Sequence, residues 1–311
     1  MPKILITGGL GNLGSWLTEH FALNGFEVYV LAKNFRQIVT TAKYHLIQCD
    51  ISEFSEVKTK LSDYEFEYVI HAGSVNDGFV ENYFKLALDV NTLGTRNLLE
   101  FYKDKKLKNF IYFSTFQVYG KYEGEISEVT PTEPKNDYGA THLFAEYYVK
   151  QFHASHQLPY SIVRLSNSYG CPKDYNSSKW YLVLNDLAKS AFEKKEIILK
   201  SNGQAPRDFI WMGDVCQIIY QLIEKQATNE TYNISGETTY KMIDIANEVK
   251  MAYLERFKVE IPVKVNLGDK TVHNDSLKVN ASKLKELIQY NAEPHFKDEA
   301  LKIFGFLEKR N

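Results

Sequence analysis

A glycine-rich segment near the amino terminus, TGGLGNLG at residues 7–14, limits the choice of fold more than any other part of the sequence. It follows a short apolar run, Lys3–Thr7, and opens a segment of helical periodicity, Asn12–Asn24. Between a strand and a helix, glycines let the backbone approach a pyrophosphate, and the helix amino terminus offers free N–H groups and partial positive charge. The segment predicts a dinucleotide-binding loop. Its predicted contact residues are Gly8, Gly11, Asn12, Leu13 and Gly14.

Apolar runs alternate with helical segments over the first half of the chain. The predicted later strands are Glu27–Ala32, Tyr68–Ala72, Asn109–Ser114 and Tyr160–Arg164. This alternation predicts an α/β fold with a Rossmann-type, doubly wound parallel sheet. We expect residues 1–170 to form the dinucleotide-binding domain and residues 171–311 a smaller mixed lobe that binds the substrate.

The carboxyl-terminal part has a looser pattern of elements. Helices are predicted at Trp180–Phe192 and Met242–Phe257, and the apolar segment Phe209–Met212 is a candidate to return to the main sheet. The sequence therefore does not fix the exact position of the boundary between the two parts.

Composition narrows the class of protein. The formal net charge is −2, whereas nucleic-acid binding needs a cationic surplus, so no nucleic-acid partner is expected. The three cysteines have neither disulfide nor metal-ligand spacing, and no metal site is predicted. The sequence shows no secretion signal and no run of membrane-spanning length. We expect a cytoplasmic protein without membrane contact.

The residues after the second predicted strand concern the choice of cofactor. Ala32 occupies the position at which an acidic residue would bind the adenosine ribose of NAD, and Lys33 and Arg36 follow it. Alone, this pattern leans towards NADP, because arginine can hold a 2′-phosphate, although both side chains could simply be solvated. Asp50 and Ile51 follow the next strand and are predicted to meet the adenine.

Several strings further along carry a family resemblance. They are HAG at 71–73, NFIYFSTFQVYG at 109–120, PTEPKNDYGATHLFAEYYV at 131–149, RLSNSYG at 164–170 and RDFIWMGDV at 207–215. In this order and spacing the chain resembles the extended short-chain dehydrogenase/reductase family, in particular its NAD-dependent nucleotide-sugar epimerases and dehydratases. The resemblance implies NAD as cofactor, with Ala72, Gly73, Tyr138 and His142 among its contacts. It also implies a catalytic set consisting of Thr115, Tyr138 and the residue at position 142.

Position 142 departs from the family pattern, because the family has a lysine there and this chain has a histidine. The family's lysine binds the nicotinamide ribose and lowers the tyrosine pKa. An unperturbed tyrosine is a phenolate in only about one molecule in a thousand at neutral pH. Tyr138 and His142 lie one helical turn apart, so a protonated His142 could take over part of this task. Alternatively, His142 is inert and Tyr138 and Thr115 act with the charge of the cofactor alone.

The resemblance also bears on the reaction. The family's 4,6-dehydratases have an Asp–Glu pair after the Ser/Thr, whereas Phe116 and Gln117 follow Thr115 here, so dehydration is not expected. We expect NAD-dependent oxidation at C-4 of a nucleotide sugar. The alternatives are a C-4 epimerase, a 4-keto reductase and, from another class, a non-catalytic dinucleotide sensor.

The substrate and the assembly are inferred from the same resemblance. Asn167, Lys179 and Arg207 are the predicted contacts of the nucleotide sugar. As a whole, the sequence resembles the bacterial GDP-heptose 4-dehydrogenases of capsular polysaccharide synthesis. The helices Asn82–Phe101 and Tyr138–His156 carry apolar residues on one side. The resemblance implies that such helices pair across a two-fold axis, so a homodimer is expected, although the same apolar residues could instead face the sheet.

Overall fold

The computed structural model describes residues 1–76, 82–273 and 277–309. The strands among these residues are β1 Lys3–Thr7, β2 Glu27–Ala32, β3 His45–Gln48, β4 Tyr68–His71, β5 Asn109–Thr115, β6 Glu125–Ile126, β7 Tyr160–Leu165, β8 Asn167–Tyr169, β9 Ile197–Ile198, β10 Pro206–Trp211, β11 Glu230–Ile234, β12 Thr239–Lys241, β13 Val263–Lys264 and β14 Lys278–Val279. The α-helices are α1 Asn12–Leu23, α2 Phe54–Leu61, α3 Tyr83–Ala87, α4 Thr95–Tyr102, α5 Asp137–His156, α6 Val183–Lys194, α7 Met212–Glu224, α8 Met242–Phe257, α9 Ser282–Leu287 and α10 Phe296–Glu308. Phe116–Tyr119 and Ser178–Tyr181 are 3₁₀ turns, and Leu88–Gly94 is a π-helix.

Seven parallel strands form the main sheet, in the order β11-β7-β5-β4-β1-β2-β3. The chain adds β2 and β3 on one side of β1, and β4, β5, β7 and β11 on the other. The direction of winding therefore reverses between β1 and β4. Doubly wound sheets bind ligands beyond the carboxyl ends of the strands at such a reversal. The predicted α/β fold with a parallel sheet is confirmed.

Helices cover both faces of this sheet. Side chains of α1 and α7 pack on one face, and side chains of α2, α4 and α5 pack on the other. Strands β4 and β5 are consequently buried along their whole length. This explains why the strands read as continuous apolar runs and not as alternating ones.

The segment 209–212 does not return to the main sheet, so that expectation is wrong. Strand β10 forms a separate three-stranded sheet with β8 and β12, in which Phe209 pairs with Asn167. The reason is that β8 begins just after β7 ends and offers a free edge to β10. The later segment that does join the main sheet is β11, which pairs with β7. Helices α6, α8 and α10 pack together beside the small sheet. The division at residue 170 stays a prediction.

The segment predicted as one helix, Asn82–Phe101, is helical from Tyr83 to Tyr102 but changes to a π-helix in the middle. Asn91 lies at this place. Its Oδ1 accepts a hydrogen bond from the Val75 N–H at 2.7 Å, and its Nδ2 donates to the Val75 carbonyl at 3.1 Å. The π-helical turn thus ties the helix to the loop after β4.

The predicted helix Trp180–Phe192 begins later than expected. The backbone at Leu182 is extended, with ψ 143°, and α6 starts at Val183. No helix in the described part of the chain is long and apolar enough to cross a membrane. Among the described residues, no group of three or more His, Cys, Asp or Glu side chains is placed to hold a metal ion.

Candidate active site

A cavity of about 780 Å³ lies beyond the carboxyl ends of the central strands, where the chain winding reverses. Most of the residues predicted from the sequence line it. They are Gly8, Gly11, Asn12, Leu13, Gly14, Lys33, Arg36, Asp50, Ile51, Ala72, Gly73, Thr115, Tyr138, His142, Asn167 and Lys179. The fold therefore brings the predicted cofactor, catalytic and substrate residues together, with Arg207 as the exception.

The glycine-rich loop is a close-packed backbone cradle. Gly8 has φ +65°, and a Cβ on it would lie 2.6 Å from the Gly73 Cα. A Cβ on Gly14 would collide with the Gly8 carbonyl. Helix α1 begins directly after Gly11, so its free N–H groups face this place. A glycine cradle at a helix amino terminus is suited to a pyrophosphate, and the residues present fit a dinucleotide.

The two cationic side chains that would favour NADP, Lys33 and Arg36, are both paired with carboxylates. The Lys33 Nζ lies 2.6 Å from the Asp50 Oδ2. The Arg36 Nη1 lies 2.5 Å from the Oδ2 of Asp174, which belongs to the loop after β8. Hydrogen bonds from Ser52 and the Lys33 ammonium lower the pKa of Asp50 against the effect of burial, which raises it. Because neither cation is free for a phosphate, the geometry favours NAD over NADP.

Helix α5 positions the predicted tyrosine and histidine. The Asn136 side chain caps the helix by accepting a hydrogen bond from the Gly139 N–H at 2.8 Å. One turn apart, the rings of Tyr138 and His142 have centroids separated by 4.5 Å and an interplanar angle of 66°. Thr115 ends β5, and its Oγ1 accepts a hydrogen bond from the Gln117 N–H at 3.2 Å.

Tyr138 needs help to ionise. Burial raises its pKa above the ordinary value, and the neighbouring Tyr83 and Tyr181 hydroxyls act in the same direction. The hydroxyl of Ser74, in the loop after β4, acts in the opposite direction. The described residues that shift the Tyr138 pKa do not include a cation.

The expectation of a protonated His142 is not met. Its side chain is almost completely buried, at 2% exposure. Burial lowers its pKa to about 3, and the Phe113 carbonyl opposes this shift only in part. The imidazole is therefore neutral at neutral pH and contributes no positive charge to Tyr138.

The three predicted substrate residues lie in different environments. The Asn167 Nδ2 donates to the Asp208 carbonyl at 2.8 Å, and the Lys179 Nζ donates to the Asn76 carbonyl at 2.9 Å. Arg207 lies in a neighbouring cleft, where its guanidinium carbon is 5.6 Å from the ring centroid of Tyr122. The structure does not bring Arg207 into the main cavity.

A family model described as the NAD dependent epimerase/dehydratase family matches residues 4–235, which is most of the chain. The chain belongs to this family. The match contains both the glycine-rich loop and the helix that carries Tyr138, and all described residues that line the cavity lie within it.

Curated relatives of this family member include dTDP-glucose 4,6-dehydratases. The enzyme from Neisseria meningitidis is 26% identical over 92% of this chain and 87% of its own length. The dTDP-D-glucose 4,6-dehydratase from Dictyostelium discoideum is also 26% identical, but the match covers 80% of this chain and only 62% of that enzyme.

A solved structure supports the fold. The UDP-glucose 4-epimerase from Bifidobacterium longum, solved in complex with NAD⁺ and UDP, superposes with a TM-score of 0.84. It is 20% identical, and the match covers 99% of this chain and 98% of the epimerase. At this identity the likeness concerns the fold.

Several cavity residues were not predicted from the sequence. Ser74 and Asn76 follow β4, and Gln117 lies in the 3₁₀ turn after Thr115. The rule that ligands bind beyond the carboxyl ends of parallel strands could have indicated Ser74 and Asn76. Tyr181 also lines the cavity, and it belongs to the stretch from Lys179 to Asn185 that the sequence offered as a boundary of the base pocket.

Proposed function

We propose that this member of the family oxidises the C-4 hydroxyl of a nucleotide-activated sugar to a ketone, with NAD as the hydride acceptor. The proposal is supported by one cavity that combines a dinucleotide cradle with Tyr138 and Thr115. NAD⁺, when bound, supplies the electrophilic nicotinamide ring that receives the hydride. The chain's own residues bind and orient the sugar and take up its hydroxyl proton.

Tyr138 is the proposed general base. As a phenolate it accepts the C-4 hydroxyl proton while the hydride leaves C-4, which produces a ketone, reduced cofactor and one proton. Thr115 ends β5 and lines the same cavity, and its proposed role is to orient the same hydroxyl with its Oγ1. His142 lies beside Tyr138, and its proposed role is to hold the cofactor.

The scarcity of carboxyl groups in the cavity is the observation that separates simple oxidation from dehydration. Among the described residues that line the cavity, Asp50 is the only carboxylic acid, and it is paired with Lys33 at the adenosine end. Loss of water from a 4-keto sugar needs an acid that protonates the departing hydroxyl. Phe116, which follows Thr115, is buried and apolar. We therefore propose that the reaction stops at the ketone, unlike that of the dehydratase relatives.

The substrate proposal rests on Asn167 and Lys179, which both line the cavity. Arg207 would bind a diphosphate if the substrate extends into the neighbouring cleft, where Lys121 adds a second positive charge. Our candidate substrate is a GDP-sugar, and in particular GDP-heptose in a capsule pathway. The reason is the resemblance of the sequence to the GDP-heptose 4-dehydrogenases.

Two other activities use the same residues. A C-4 epimerase returns the hydride to the opposite face of the ketone, and a 4-keto reductase runs the proposed step in reverse. The epimerase is distinguished by its product, because an epimerase leaves no net reduced cofactor.

A homodimer is proposed from one surface. Four large apolar side chains are exposed on the helical segment 83–102 and on α5, namely Phe84, Leu93, Phe144 and Tyr147. Burial of such a surface against its own copy would remove it from water. Sedimentation of the wild type and of Phe144→Glu tests this: a dimer that the variant weakens supports it, and a monomeric wild type refutes it.

The deciding experiment measures the absorbance of reduced nicotinamide in NAD⁺-loaded protein after addition of GDP-, UDP-, CDP- or dTDP-sugars. A rise with one sugar supports oxidation and identifies the nucleotide. The matched variant Tyr138→Phe should bind NAD⁺ and lose the rise. If Tyr138→Phe gives the same result as the wild type, the dinucleotide sensor becomes the better description. If no sugar reacts with loaded protein, the 4-keto reductase, a substrate outside the tested set and the sensor are the remaining descriptions.

A further inference from the structure

The His142 ring has two nitrogens in different surroundings. Its Nδ1 lies 2.7 Å from the hydroxyl oxygen of Tyr112, a buried residue in the middle of β5. Its Nε2 is buried and has no hydrogen-bond partner among the described residues. The ring lines the cavity beside Tyr138. One nitrogen is therefore held by the protein. The Phe113 carbonyl, which opposes the fall in the His142 pKa, forms no hydrogen bond with the Nε2, so this nitrogen is left for a ligand.

The neighbouring hydrogen bonds indicate the direction of the Tyr112 bond. The Thr95 hydroxyl lies next to Tyr112, but it donates its own proton to the Asn91 carbonyl at 2.5 Å. Its oxygen also lies 2.8 Å from the His71 Nε2, from which it accepts. A buried hydroxyl must find an acceptor for its proton. Thr95 and the His142 Nδ1 are the two neighbours available to the Tyr112 hydroxyl. The Nδ1, at 2.7 Å, lies at the ordinary distance for such a hydrogen bond, and we take it as the acceptor.

The hydrogen bonds of His71 are consistent with Thr95 accepting from the His71 Nε2. The Thr7 hydroxyl lies 2.5 Å from the His71 Nδ1, and Thr7 in turn accepts from the Gly73 N–H at 3.1 Å. A proton donated by Thr7 to Nδ1 leaves the His71 proton on Nε2, facing Thr95. The two histidines thus hold the same tautomer, each fixed by a hydroxyl on its Nδ1.

We propose that Tyr112 is a positioning residue that fixes neutral His142 with its proton on Nε2, so that this N–H donates to a hydroxyl oxygen of the bound dinucleotide next to Tyr138. This inference rests on the proposed binding of a dinucleotide but not on the oxidation of a sugar. It replaces the family's charged lysine by a neutral donor of fixed direction. A neutral donor can bind a ribose hydroxyl but cannot stabilise a phenolate electrostatically.

The surroundings of His142 do not favour a second proton. The titratable groups that face it are Tyr112 from β5, Tyr138 from its own helix, His71 from β4 and, beyond Tyr112, Glu146 from α5. The Glu146 carboxylate is already paired with the Arg164 guanidinium at 2.6 Å. Burial therefore decides the charge state of the ring.

The first test reads the tautomer directly. Protein labelled with ¹⁵N-histidine and loaded with NAD⁺ is examined by NMR, in which a protonated and an unprotonated ring nitrogen have well-separated shifts. The His142 signals are assigned by their loss in His142→Gln. We expect Nε2 protonated and Nδ1 unprotonated, without titration in the neutral range. A proton on Nδ1, or on both nitrogens at neutral pH, would overturn the proposal.

The second test compares two buried tyrosines. Tyr112→Phe removes the bond to Nδ1, so a population with the proton on Nδ1 should appear and NAD⁺ affinity should fall about three- to tenfold. Tyr102→Phe is the matched control, since Tyr102 is equally buried and its hydroxyl has no partner among the described residues. It should change neither the tautomer nor the affinity.

The outcomes separate the two proposals. An unchanged His142 tautomer in folded Tyr112→Phe refutes the positioning role. If Tyr112→Phe fails to fold, the wild-type spectrum decides alone. An Nε2–H tautomer in a protein that oxidises none of the sugars leaves the positioning role intact and refutes only the proposed reaction.

Discussion

Replacing His142 by lysine should make Tyr138 easier to ionise. The ring centroids of residues 138 and 142 are 4.5 Å apart. A unit positive charge at about this distance stabilises a phenolate by about 3–4 kcal/mol at an effective dielectric constant of about 20. This corresponds to about two to three pKa units. In the wild type, burial raises the Tyr138 pKa above its ordinary value, and neutral His142 does not oppose this.

The assay is an ultraviolet titration of phenolate absorbance in NAD⁺-loaded protein. Because the chain has 21 tyrosines, the Tyr138 contribution is obtained by subtracting the same titration of Tyr138→Phe, once in the wild-type background and once in His142→Lys. The control is His156→Lys, which adds a lysine on the same helix but about five turns away. It should leave the Tyr138 titration in place.

The reasoning fails if the Tyr138 titration in His142→Lys coincides with that of the wild type. It also fails if His156→Lys shifts the titration as much as His142→Lys does. In the first case residue 142 does not act on Tyr138 through charge. In the second case the effect would be one of net charge, and the local geometry would be irrelevant.

Three further results are expected. Tyr138→Phe should lower the rate of sugar oxidation at least about a hundredfold while NAD⁺ affinity, measured by calorimetry, stays within about twofold, because the general base is lost whereas the ring that lines the cavity is retained; a large loss of affinity would contradict this. Asp174→Ala should free the Arg36 guanidinium and raise NADP⁺ affinity relative to NAD⁺ about three- to tenfold in competition binding; an unchanged ratio would show that Arg36 does not reach the adenosine. Burial lowers the pKa of both His71 and His142 to about 3. As the pH falls below about 6.5, the two histidines therefore take up protons in the unfolded chain before they do so in the folded chain. The free energy of unfolding should then fall by up to about 2–3 kcal/mol per pH unit. Denaturant unfolding should show about half of this slope in His142→Gln, and an equal slope would contradict the assignment.

Local patterns were enough to predict the central sheet and the dinucleotide cradle. The strand Lys3–Thr7, the glycines after it and the helix beginning at Asn12 all indicate the same structure, and the fold places them as expected. Such a segment can be predicted because its turn residues and its hydrophobic periodicity indicate the same structure.

Features that depend on distant pairing could not be predicted in this way. Strand β10 reads like any buried strand, and nothing local shows that its partner is β8 and not the main sheet. Lys33 and Arg36 read as free cations, because their partners Asp50 and Asp174 come from other loops. An ion pair between residues that are distant in sequence changes what a cation can bind, but the residues next to that cation in the sequence do not indicate the pair.

His142 shows the same limit at the catalytic site. Helical spacing correctly places it beside Tyr138, but its charge depends on burial and its tautomer depends on Tyr112, 30 positions earlier in the chain. A histidine that replaces a lysine suggests a weaker cation when only the sequence is considered. In the folded chain it is a neutral group with one nitrogen occupied and one available. Under the proposed function, a positive charge that lowers the Tyr138 pKa would therefore have to come from the oxidised cofactor, so base strength and cofactor oxidation state would be coupled. The proposed oxidation would remove that charge, and Tyr138 would then keep the proton that it had gained.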